Sequence, residues 1–476
     1  MTRLEPGLHE PAPEAVRALA VALREAPYSE EAAARALGPR PFITAVRAEA
    51  YRRRLAAAGV LGTLVRLFRL GDAVPRAEAV RALAPAPLDE LAAVGILEVQ
   101  HALVSSRLRL TPFAGLLLFH DPEEQEERPR WHVPGIAPGA KALASLTVRL
   151  TPRRALDVGT GCGVHALLAA RHAASVVATD VNERALCLTR INARLNGLTV
   201  ETRVGSLFEP VAGERFELIV SNPPFVVSPA SELLFRDAGL GRDELSRQVT
   251  ERLPDLLEAG GHASVLASWI VGAGEDWSDT PHRWLAASGC DAFVLHFTTD
   301  DALTYAGKYT AELEPWLDYY RAQGIEAIAT GAIVLARRAS GASPRFVALQ
   351  ATGGARGDGT RQLLRILNAD ELPDDDALLR TRFALAEPHR LDQRASFRDG
   401  RYTVGATTLS LPEGAGVNAF VETDAVHLLA RLDGETPLGA VVERAARETG
   451  LERERLERAA LASLRRLVRL GYVERV

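Results

Sequence analysis

Seven uniformly apolar, strand-like runs alternate with helical segments between Arg154 and Arg338. In chain order the runs are ALDVG, SVVATD, TVETRV, FELIVSN, HASVLASWI, DAFVLHFTT and AIATGAIVLA. Strands that are apolar at successive positions are buried on both faces, which is typical of a mostly parallel sheet covered by helices. The pattern therefore predicts a doubly wound α/β domain built around seven mostly parallel strands.

The chain is too long for a single hydrophobic core. It has 476 residues, whereas cores stop growing near about 250 to 300 residues and longer chains divide into domains. An acidic, turn-rich stretch at 121–130, DPEEQEERPR, predicts a surface linker with a boundary near residue 125. The character of the sequence changes again at about Ala339. We therefore expect three domains, at 1–125, 126–338 and 339–476.

Both flanking domains differ from the central one, because their helices and short strands do not alternate regularly along the chain. In the amino-terminal domain, two short helices are followed by strand-like runs at Ile96–Gln100 and Arg107–Thr111. Helix, turn, helix, hairpin is the order of a winged helix. The carboxyl-terminal domain is predicted as α+β, with a β-meander around an Asp399-Gly400 turn, two helices and a final strand in GYVERV. This domain also resembles a winged helix in outline.

Composition excludes several classes of protein. With 47% hydrophobic and 25% charged residues, the chain has the balance of a globular protein and not of a disordered one. Cys162, Cys187 and Cys290 form no CxxC pair, so neither a disulfide framework nor a metal site is expected. No run reaches the ~20 apolar residues of a membrane span, and the amino terminus lacks the apolar core of a secretory signal. We expect a cytoplasmic protein that binds no metal.

A glycine-rich loop follows the first strand of the α/β domain. The strand ALDVG continues into TGCG (160–163) and a helix. Glycines let the backbone turn sharply and approach a ligand, while the helix amino terminus supplies unpaired N–H groups. The second strand ends in Asp180, 23 residues after Asp157, close to the spacing at which an acidic side chain accepts hydrogen bonds from a ribose diol. These residues predict a nucleoside-binding site; a glycine turn that binds NAD, or nothing, is the alternative.

The fourth strand, FELIVSN, ends in the tetrapeptide Asn222-Pro223-Pro224-Phe225. Together with DVGTGCG and ATD in this order, the motif resembles class I S-adenosylmethionine-dependent methyltransferases, in the subgroup whose NPP(F/Y) signature methylates planar amino groups. The resemblance covers about residues 130–338. It implies a Rossmann-like fold, S-adenosylmethionine as cofactor, and an adenine, a guanine or a protein glutamine as substrate.

The chemistry of a planar amino group explains the motif. The lone pair of such a nitrogen is delocalised into a π system, so the nitrogen is a poor nucleophile. The resemblance implies that the Asn222 side-chain oxygen and the Pro223 carbonyl each accept one hydrogen bond from the amino group. These bonds direct the nitrogen lone pair at the sulfonium methyl, so no strong base is required. Phe225 then offers a face on which the substrate can stack, and Pro224 stiffens the substrate-binding loop.

The resemblance also assigns cofactor contacts. The loop at 157–163 is expected to wrap the methionine and ribose parts of the cofactor, and Asp180 to hold the ribose hydroxyls. After the third strand, where many relatives place an acidic residue for the adenine amino group, this chain has Ser206, so a hydroxyl or a backbone carbonyl can substitute. The segment WHVPGIAPGAKAL occupies the pre-loop position, which often lines the cofactor or the substrate entrance. The expected cofactor contacts are Asp157, Gly159, Thr160, Gly161, Gly163, Asp180, Val181, Ser206, Leu207 and Asn222.

A basic stretch indicates the substrate class. Between Arg40 and Leu70 there are seven arginines and one acid, Glu49, and such an excess can bind phosphates although the net charge of the chain is −5. We predict that structured RNA, more than DNA, is the substrate. Its phosphates are expected at three adjacent residues, which are Arg52, Arg53 and Arg54. Acidic side chains on the candidate recognition helix leave two alternatives for this domain, which are binding a protein or packing on the catalytic domain.

Other residues and functions stay open at the level of sequence. Arg236 follows the NPPF strand in a predicted substrate loop, but a surface ion pair with Asp237 is the alternative. His165 is close enough to the glycine loop to reach the site, or it packs inside the helix. A glutamine methyltransferase of the release-factor type is the second hypothesis for function. A binding protein that has lost catalysis is the third.

Overall fold

The computed structural model describes residues 7–38, 45–123, 129–229, 241–338, 343–369 and 372–476. The chain divides into two compact units. The first comprises Met1–Ala140, Leu150–Glu258 and Glu314–Tyr319, and the second comprises Lys141–Arg149, Ala259–Leu313 and Tyr320–Val476. The division into three domains stays a prediction. No helix in the described ranges is long and apolar enough to cross a bilayer.

Helices and short strands make up the described part of the chain before residue 121. The helices are α1 (Pro13–Glu25), α2 (Glu30–Leu37), α3 (Ala45–Ala57), α4 (Gly59–Leu64), α5 (Arg76–Leu83) and α6 (Leu88–Ala93), with a π-helical segment at Val65–Leu70. The strands are β1 (Val74–Pro75), β2 (Leu97–Gln100), β3 (Leu103–Ser106), β4 (Arg109–Phe113) and β5 (Leu116–His120). Strands β1, β3 and β2 pair antiparallel in that order, and β4 and β5 form a separate hairpin. The winged-helix interpretation stays a prediction.

Four parallel strands form the sheet of the first unit. They are β6 (Arg154–Val158), β7 (Ser175–Asp180), β8 (Glu201–Val204) and β9 (Phe216–Ser221), in the order β9-β6-β7-β8. The helices in this part of the chain are α7 (Pro138–Leu146), α8 (Val164–Ala169), α9 (Glu183–Leu195) and α10 (Glu244–Leu256), with a 3-10 turn at Glu209–Val211. Strand residues such as Leu156, Val177 and Ile219 are buried, as expected for strands that are apolar on both faces.

The register brings three strand ends to one edge of this sheet. Val158 on β6 pairs with Thr179 on β7 and with Ser221 on β9. The Ser221 hydroxyl donates a hydrogen bond of 3.0 Å to the Val158 carbonyl. Because parallel strands end at the same edge, the loops after β6, β7 and β9 converge there. The predicted glycine loop, Asp180 and Asn222 all lie in those loops or at those strand ends.

The next four strands have mixed pairing. They are β10 (Leu257–Val271), β11 (Asp291–Asp301), β12 (Ala327–Ala336) and β13 (Phe346–Gln350), accompanied by helices α11 (Asp279–Leu285), α12 (Ala302–Gly307) and α13 (Glu314–Gln323). Strand β12 is antiparallel to β10 and β11, whereas β13 is parallel to β11. All seven predicted strands form, but the predicted count of seven is not confirmed because β13 is added. Strand β13 has only five residues and lies after the predicted boundary at 339. It forms through its pairing with β11 more than through a pattern in its own sequence.

Two three-stranded sheets follow in the described carboxyl-terminal part. The strands are β14 (Arg382–Leu385), β15 (Arg390–Arg398), β16 (Arg401–Ser410), β17 (Ala419–Val421), β18 (Asp433–Pro437) and β19 (Val473–Arg475), in the orders β18-β14-β19 and β15-β16-β17. The helices are α14 (Thr360–Asn368), α15 (Asp375–Arg380), α16 (Thr423–Leu429), α17 (Leu438–Thr449) and α18 (Arg453–Arg469). The predicted turn at Asp399 and Gly400 is confirmed by φ angles of 51° and 74°. The predicted final strand is β19.

Candidate cofactor and active site

A cavity of about 560 Å³ opens at the converging strand ends, within the first unit. Sites for small molecules usually have volumes of about 300 to 1,000 Å³. The predicted site residues that line this cavity are Gly159, Thr160, Gly161, Asp180, Val181, Ser206, Leu207, Asn222, Pro223 and Pro224. Loops after four different strands therefore bring predicted residues to one cavity.

Left-handed backbone at three glycines shapes the loop after β6. The φ angles of Gly159, Gly161 and Gly163 are 71°, 57° and 85°, a region that other residues rarely adopt. A Cβ at Gly159 or Gly161 would meet no atom within 4 Å, whereas one at Gly163 would lie 3.0 Å from Thr189. The first two glycines therefore leave open space beside their backbone, and Gly163 permits the close packing of α8 on α9.

Asp157 holds the glycine loop from within. Its Oδ2 accepts hydrogen bonds from Thr160 Oγ1 at 2.7 Å and from the Ala166 N–H at 2.9 Å. Burial raises the pKa of Asp157 to about 7, and its Oδ1 has no hydrogen-bond partner among the described residues. The structure thus gives Asp157 a positioning contact with the loop, while a direct contact with the cofactor stays a prediction.

The carboxylate of Asp180 lies at the end of β7 and lines the cavity. Its Oδ2 accepts a hydrogen bond of 3.0 Å from the Gly161 N–H, and its Oδ1 accepts one of 2.9 Å from the Asn182 N–H. Burial raises the pKa of Asp180, and the backbone N–H groups act in the opposite direction. Since each carboxylate oxygen has a second lone pair, Asp180 can accept further hydrogen bonds from a ligand.

The turn after β8 has unusual backbone but no acidic residue on the cavity wall. Leu207 has a φ of 46°, and its carbonyl accepts a hydrogen bond of 3.3 Å from Thr179 Oγ1. Ser206 is exposed and lines the cavity, and its N–H donates to Glu209 Oε2 at 3.3 Å. Among the described residues of the cavity wall, Ser206 therefore occupies the position at which the resemblance led us to expect an acidic residue.

The segment after β9 contains the predicted catalytic residues. Asn222, Pro223 and Pro224 line the cavity. No described residue hydrogen-bonds to the Asn222 side chain, so its amide oxygen is available to a ligand. Phe225 is half-buried and does not line this cavity, and its stacking role stays a prediction. Arg236 lies outside the described residues.

The segment before α7 forms another part of the wall. Arg130, His132 and Val133 line the cavity, as expected of the pre-loop segment, whereas Lys141 on α7 is exposed and does not. His165 on α8 also lines the cavity and is buried. Burial lowers the pKa of His165 to about 4, so its imidazole is neutral. The sequence left the place of His165 open and did not single out His132.

A buried ion pair anchors this pre-loop segment. Arg184 at the start of α9 donates to both carboxylate oxygens of Asp121, at 3.1 and 2.6 Å. Asp121 Oδ2 also accepts from the Val133 N–H at 2.8 Å, and the Asn182 side chain donates to the Trp131 carbonyl at 2.7 Å. The prediction of a surface linker at 121–130 is therefore wrong at its first residue, because Asp121 is only 3% exposed.

The predicted phosphate contacts lie elsewhere and have partners of their own. Arg52 makes two hydrogen bonds with Asp72, of 3.0 and 2.8 Å. Arg54 donates to the Leu37 carbonyl at 3.0 Å. The third, Arg53, pairs with Glu49 one helical turn away at 3.0 Å. None of the three lines the cavity.

Comparison with known protein families identifies two segments of the chain. Residues 134–237 match the family described as Methyltransferase small domain. Residues 25–107 match a family described as Domain of unknown function (DUF7059). The first match contains the glycine loop, Asp180 and the NPPF segment.

Individual relatives match the same region. A release factor glutamine methyltransferase of Xylella fastidiosa is 39% identical over 137 residues, which are 25% of this chain and 49% of that protein. A putative protein N5-glutamine methyltransferase of Methanocaldococcus jannaschii is 32% identical over 128 residues, 25% of this chain and 64% of that protein. Ribosomal RNA small subunit methyltransferase C of Escherichia coli is 37% identical over 93 residues, 19% and 27% of the two chains.

The chain spans about half the length of the first of these relatives. Among solved structures, a methyltransferase from Pyrococcus furiosus is 17% identical, with 48% of this chain and 91% of that chain covered and a TM-score of 0.30. The family match confirms the methyltransferase prediction for this part of the chain and implies S-adenosylmethionine as the cofactor. Residues 134–237 of this chain are thus similar to the methyltransferase small domain family.

Proposed function

We propose that this chain is an S-adenosylmethionine-dependent N-methyltransferase whose substrate is a planar amino group of adenine or guanine in structured RNA. One observation carries the proposal. Asn222 and Pro223 lie on the wall of the same cavity as the glycine loop and Asp180. Groups suited to a methyl donor and groups suited to an amino group therefore share one site.

Residues of the cavity suit the cofactor. The open space at Gly159 and Gly161 admits a ligand against the loop backbone, and Asp180 can accept hydrogen bonds from ribose hydroxyls. When bound, the cofactor supplies an electrophilic methyl group on a sulfonium. The neutral imidazole of His165 adds no positive charge to a wall that has to accommodate this cation.

Asn222 and Pro223 act on the amino group that receives the methyl. The amino group of the substrate donates two hydrogen bonds, one to the Asn222 amide oxygen and one to the Pro223 carbonyl. These two bonds orient the nitrogen lone pair. Proline has no N–H of its own, so the loop presents no competing donor at that position. The catalytic contribution is orientation and electrostatic stabilisation of charge that develops on the nitrogen, and no strong general base is required.

The arginines of the amino-terminal stretch are proposed to contact RNA phosphates. Arg53 is the most available of the three, because its side chain is 81% exposed and its ion pair with Glu49 lies in solvent, where such pairs contribute little to stability. Arg52 would have to exchange Asp72, whose side chain is only 10% exposed, for a phosphate. We therefore expect Arg53 to contribute more to binding than Arg52.

A protein glutamine is the second candidate substrate. It is favoured by the names of the relatives from Xylella fastidiosa and Methanocaldococcus jannaschii, which describe glutamine methyltransferases. The same two acceptors, Asn222 and Pro223, would serve a carboxamide nitrogen, since it also has two N–H bonds and a delocalised lone pair. A binding protein without catalysis is disfavoured by the position of Asn222 on the cavity wall, where no described residue hydrogen-bonds to its amide.

Radiolabelled cofactor distinguishes these candidates. The full chain is incubated with S-adenosylmethionine carrying a labelled methyl group and with separate fractions of total RNA, DNA and protein. Label in RNA, released as a methylated adenine or guanine nucleoside, is the expected result. Label confined to a protein glutamine would contradict the RNA substrate, and cofactor binding without transfer to any fraction would favour the non-catalytic alternative.

Replacing Asp180 with alanine is expected to weaken cofactor binding. The variant removes the carboxylate that would accept the ribose hydroxyls, which costs on the order of 1 to 3 kcal/mol, or about 5- to 150-fold in affinity. Isothermal calorimetry measures the change. Asp180→Asn keeps one acceptor oxygen and should lose less affinity than Asp180→Ala. Equal cofactor affinity in the wild-type and alanine proteins would refute this role of Asp180.

A further inference from the structure

Strands β15 and β16 form a hairpin whose outer part is fully exposed. At its base, Thr407 pairs with Val421 on β17 and is buried. Beyond the base, every described side chain from residue 390 to 403 is exposed. The hairpin closes at the Asp399-Gly400 turn, where both residues have left-handed φ angles, as the type I′ hairpin loop requires. The segment is thus a regularly paired hairpin, yet no described residue covers either of its faces.

Two aromatic side chains lie side by side near the tip of this hairpin. Phe397 and Tyr402 are directly opposite each other in the register. They are 61% and 75% exposed, and their ring centroids are 5.0 Å apart with an interplanar angle of 56°. Single exposed apolar residues are common on protein surfaces, but a cross-strand aromatic pair presents adjacent π faces. Unpaired nucleobases stack on such faces regardless of their sequence.

Three arginines on the same hairpin have no ion pair with a described residue. From Arg390 to Arg401 the sequence contains four arginines and two aspartates. In the described part of the chain, no carboxylate lies within ion-pair distance of Arg390, Arg394 or Arg401. The amino-terminal Arg52, in contrast, is paired with Asp72. Guanidinium groups without an ion pair, carried by the same hairpin as exposed aromatic rings, are complementary to a chain of phosphates and bases.

We propose that this hairpin binds unpaired nucleotides of an RNA, with bases stacked on Phe397 and Tyr402 and phosphates at Arg394 and Arg401. The proposal rests on the proposed methylation of an RNA base and names a second part of the chain, besides the amino-terminal arginines, that recognises that RNA. A duplex is a poorer fit, because its base faces are hidden in the stack. A purely apolar protein surface would leave the guanidinium groups without counterions.

Fluorescence anisotropy with a labelled oligouridine tests the aromatic contacts, using the full chain without cofactor. Phe397→Ala combined with Tyr402→Ala should weaken binding by about fivefold or more, the loss expected for one stacked base. Phe420→Ala is the matched control, since Phe420 is 49% exposed on the neighbouring strand and lies under Arg466. That control should leave the affinity unchanged. A loss of duplex RNA binding as large as the loss of oligouridine binding in the aromatic double variant would overturn the proposal.

The salt dependence of the same binding tests the phosphate contacts. Arg394→Ala combined with Arg401→Ala should reduce the slope of log K against log salt by about 1.4, or about 0.7 for each lost contact with a single strand. Arg444→Ala combined with Arg453→Ala removes the same charge from side chains that are 68% and 58% exposed but ion-paired. An equal change in slope for both double variants would show a general charge effect and overturn the assignment.

The outcomes separate this proposal from the proposed function. If hairpin variants bind oligouridine like the wild type, with unchanged circular dichroism, the hairpin assignment is wrong. Methyl transfer to RNA, measured with labelled cofactor, would then still support the proposed function. Label that enters only protein would overturn the RNA substrate and the role of the hairpin in recognising it. Label in RNA that falls in the aromatic double variant, at unchanged cofactor affinity, would support both.

Discussion

Replacing Asn222 with alanine is expected to lower kcat by about 100-fold or more while leaving the affinity for S-adenosylmethionine nearly unchanged. The Asn222 side chain lines the cavity and is free of hydrogen bonds to described residues. Its amide oxygen is therefore available to the amino group, and the hydrogen bond strengthens as charge develops on the nitrogen. Single-turnover kinetics with labelled cofactor measure the methyl-transfer rate, and calorimetry measures cofactor affinity.

Two comparisons make the Asn222 result specific. Asn222→Gln keeps the amide but moves it by one methylene, and a displacement of about 1 Å in a positioned group can lower the rate about 100-fold. Asn222→Asp keeps the acceptor oxygens near their place and should retain more activity than Asn222→Ala. A fully active alanine variant would contradict the catalytic role of Asn222. So would a variant in which cofactor binding and turnover fall in proportion, because that result indicates a lost binding contact.

Replacing Asp121 with alanine is expected to lower the free energy of unfolding by about 3 to 5 kcal/mol, since one partner of a buried ion pair is removed. The Arg184 side chain is only 13% exposed and would be left without its two carboxylate bonds. The Val133 N–H would also lose its acceptor. Because Val133 lines the cavity, cofactor affinity should fall together with stability. Urea unfolding and calorimetry measure the two effects.

An exposed ion pair in the same unit provides the control for Asp121. Arg252 and Asp255 on α10 pair at 2.7 Å with side chains that are 60% and 62% exposed. Asp255→Ala should change stability by less than about 1 kcal/mol, as solvent-exposed pairs usually do. Replacing Asp121 and Arg184 together by apolar residues of similar volume should recover part of the loss, since no unpaired charge then stays buried. A loss below about 1 kcal/mol for Asp121→Ala would contradict the anchoring role.

The strands of the α/β region could be predicted because burial on both faces leaves an apolar run in the sequence. All seven runs form strands, from β6 to β12. The predicted cofactor residues could be placed together for a related reason, since parallel strands end at one edge of a sheet. Gly159, Asp180 and Asn222 consequently line one cavity. Strand β13 escaped prediction, because a five-residue segment becomes a strand through its pairing with β11.

The electrostatic partners were decided by the tertiary structure. Asp121 belongs to an acidic run that reads as a solvated linker, but folding buries it against Arg184, 63 residues further along the chain. Similarly, the arginine excess at 40–69 is visible in the sequence, whereas the pairing of Arg52 with Asp72 depends on how the helices pack. Charge counts describe a segment, and they contain no information on which charges meet across the fold.

The sequence by itself predicted a methyltransferase core and the positions of its strands along the chain, because both leave local patterns: apolar runs, glycine positions and a four-residue motif. The tertiary structure decided which side chains meet at the site. It placed Asn222 on the cavity wall and Phe225 away from it, although they are three residues apart. It also left Phe397 and Tyr402 exposed on a hairpin. Burial and pairing depend on contacts between distant residues, and those contacts exist only after the chain has folded.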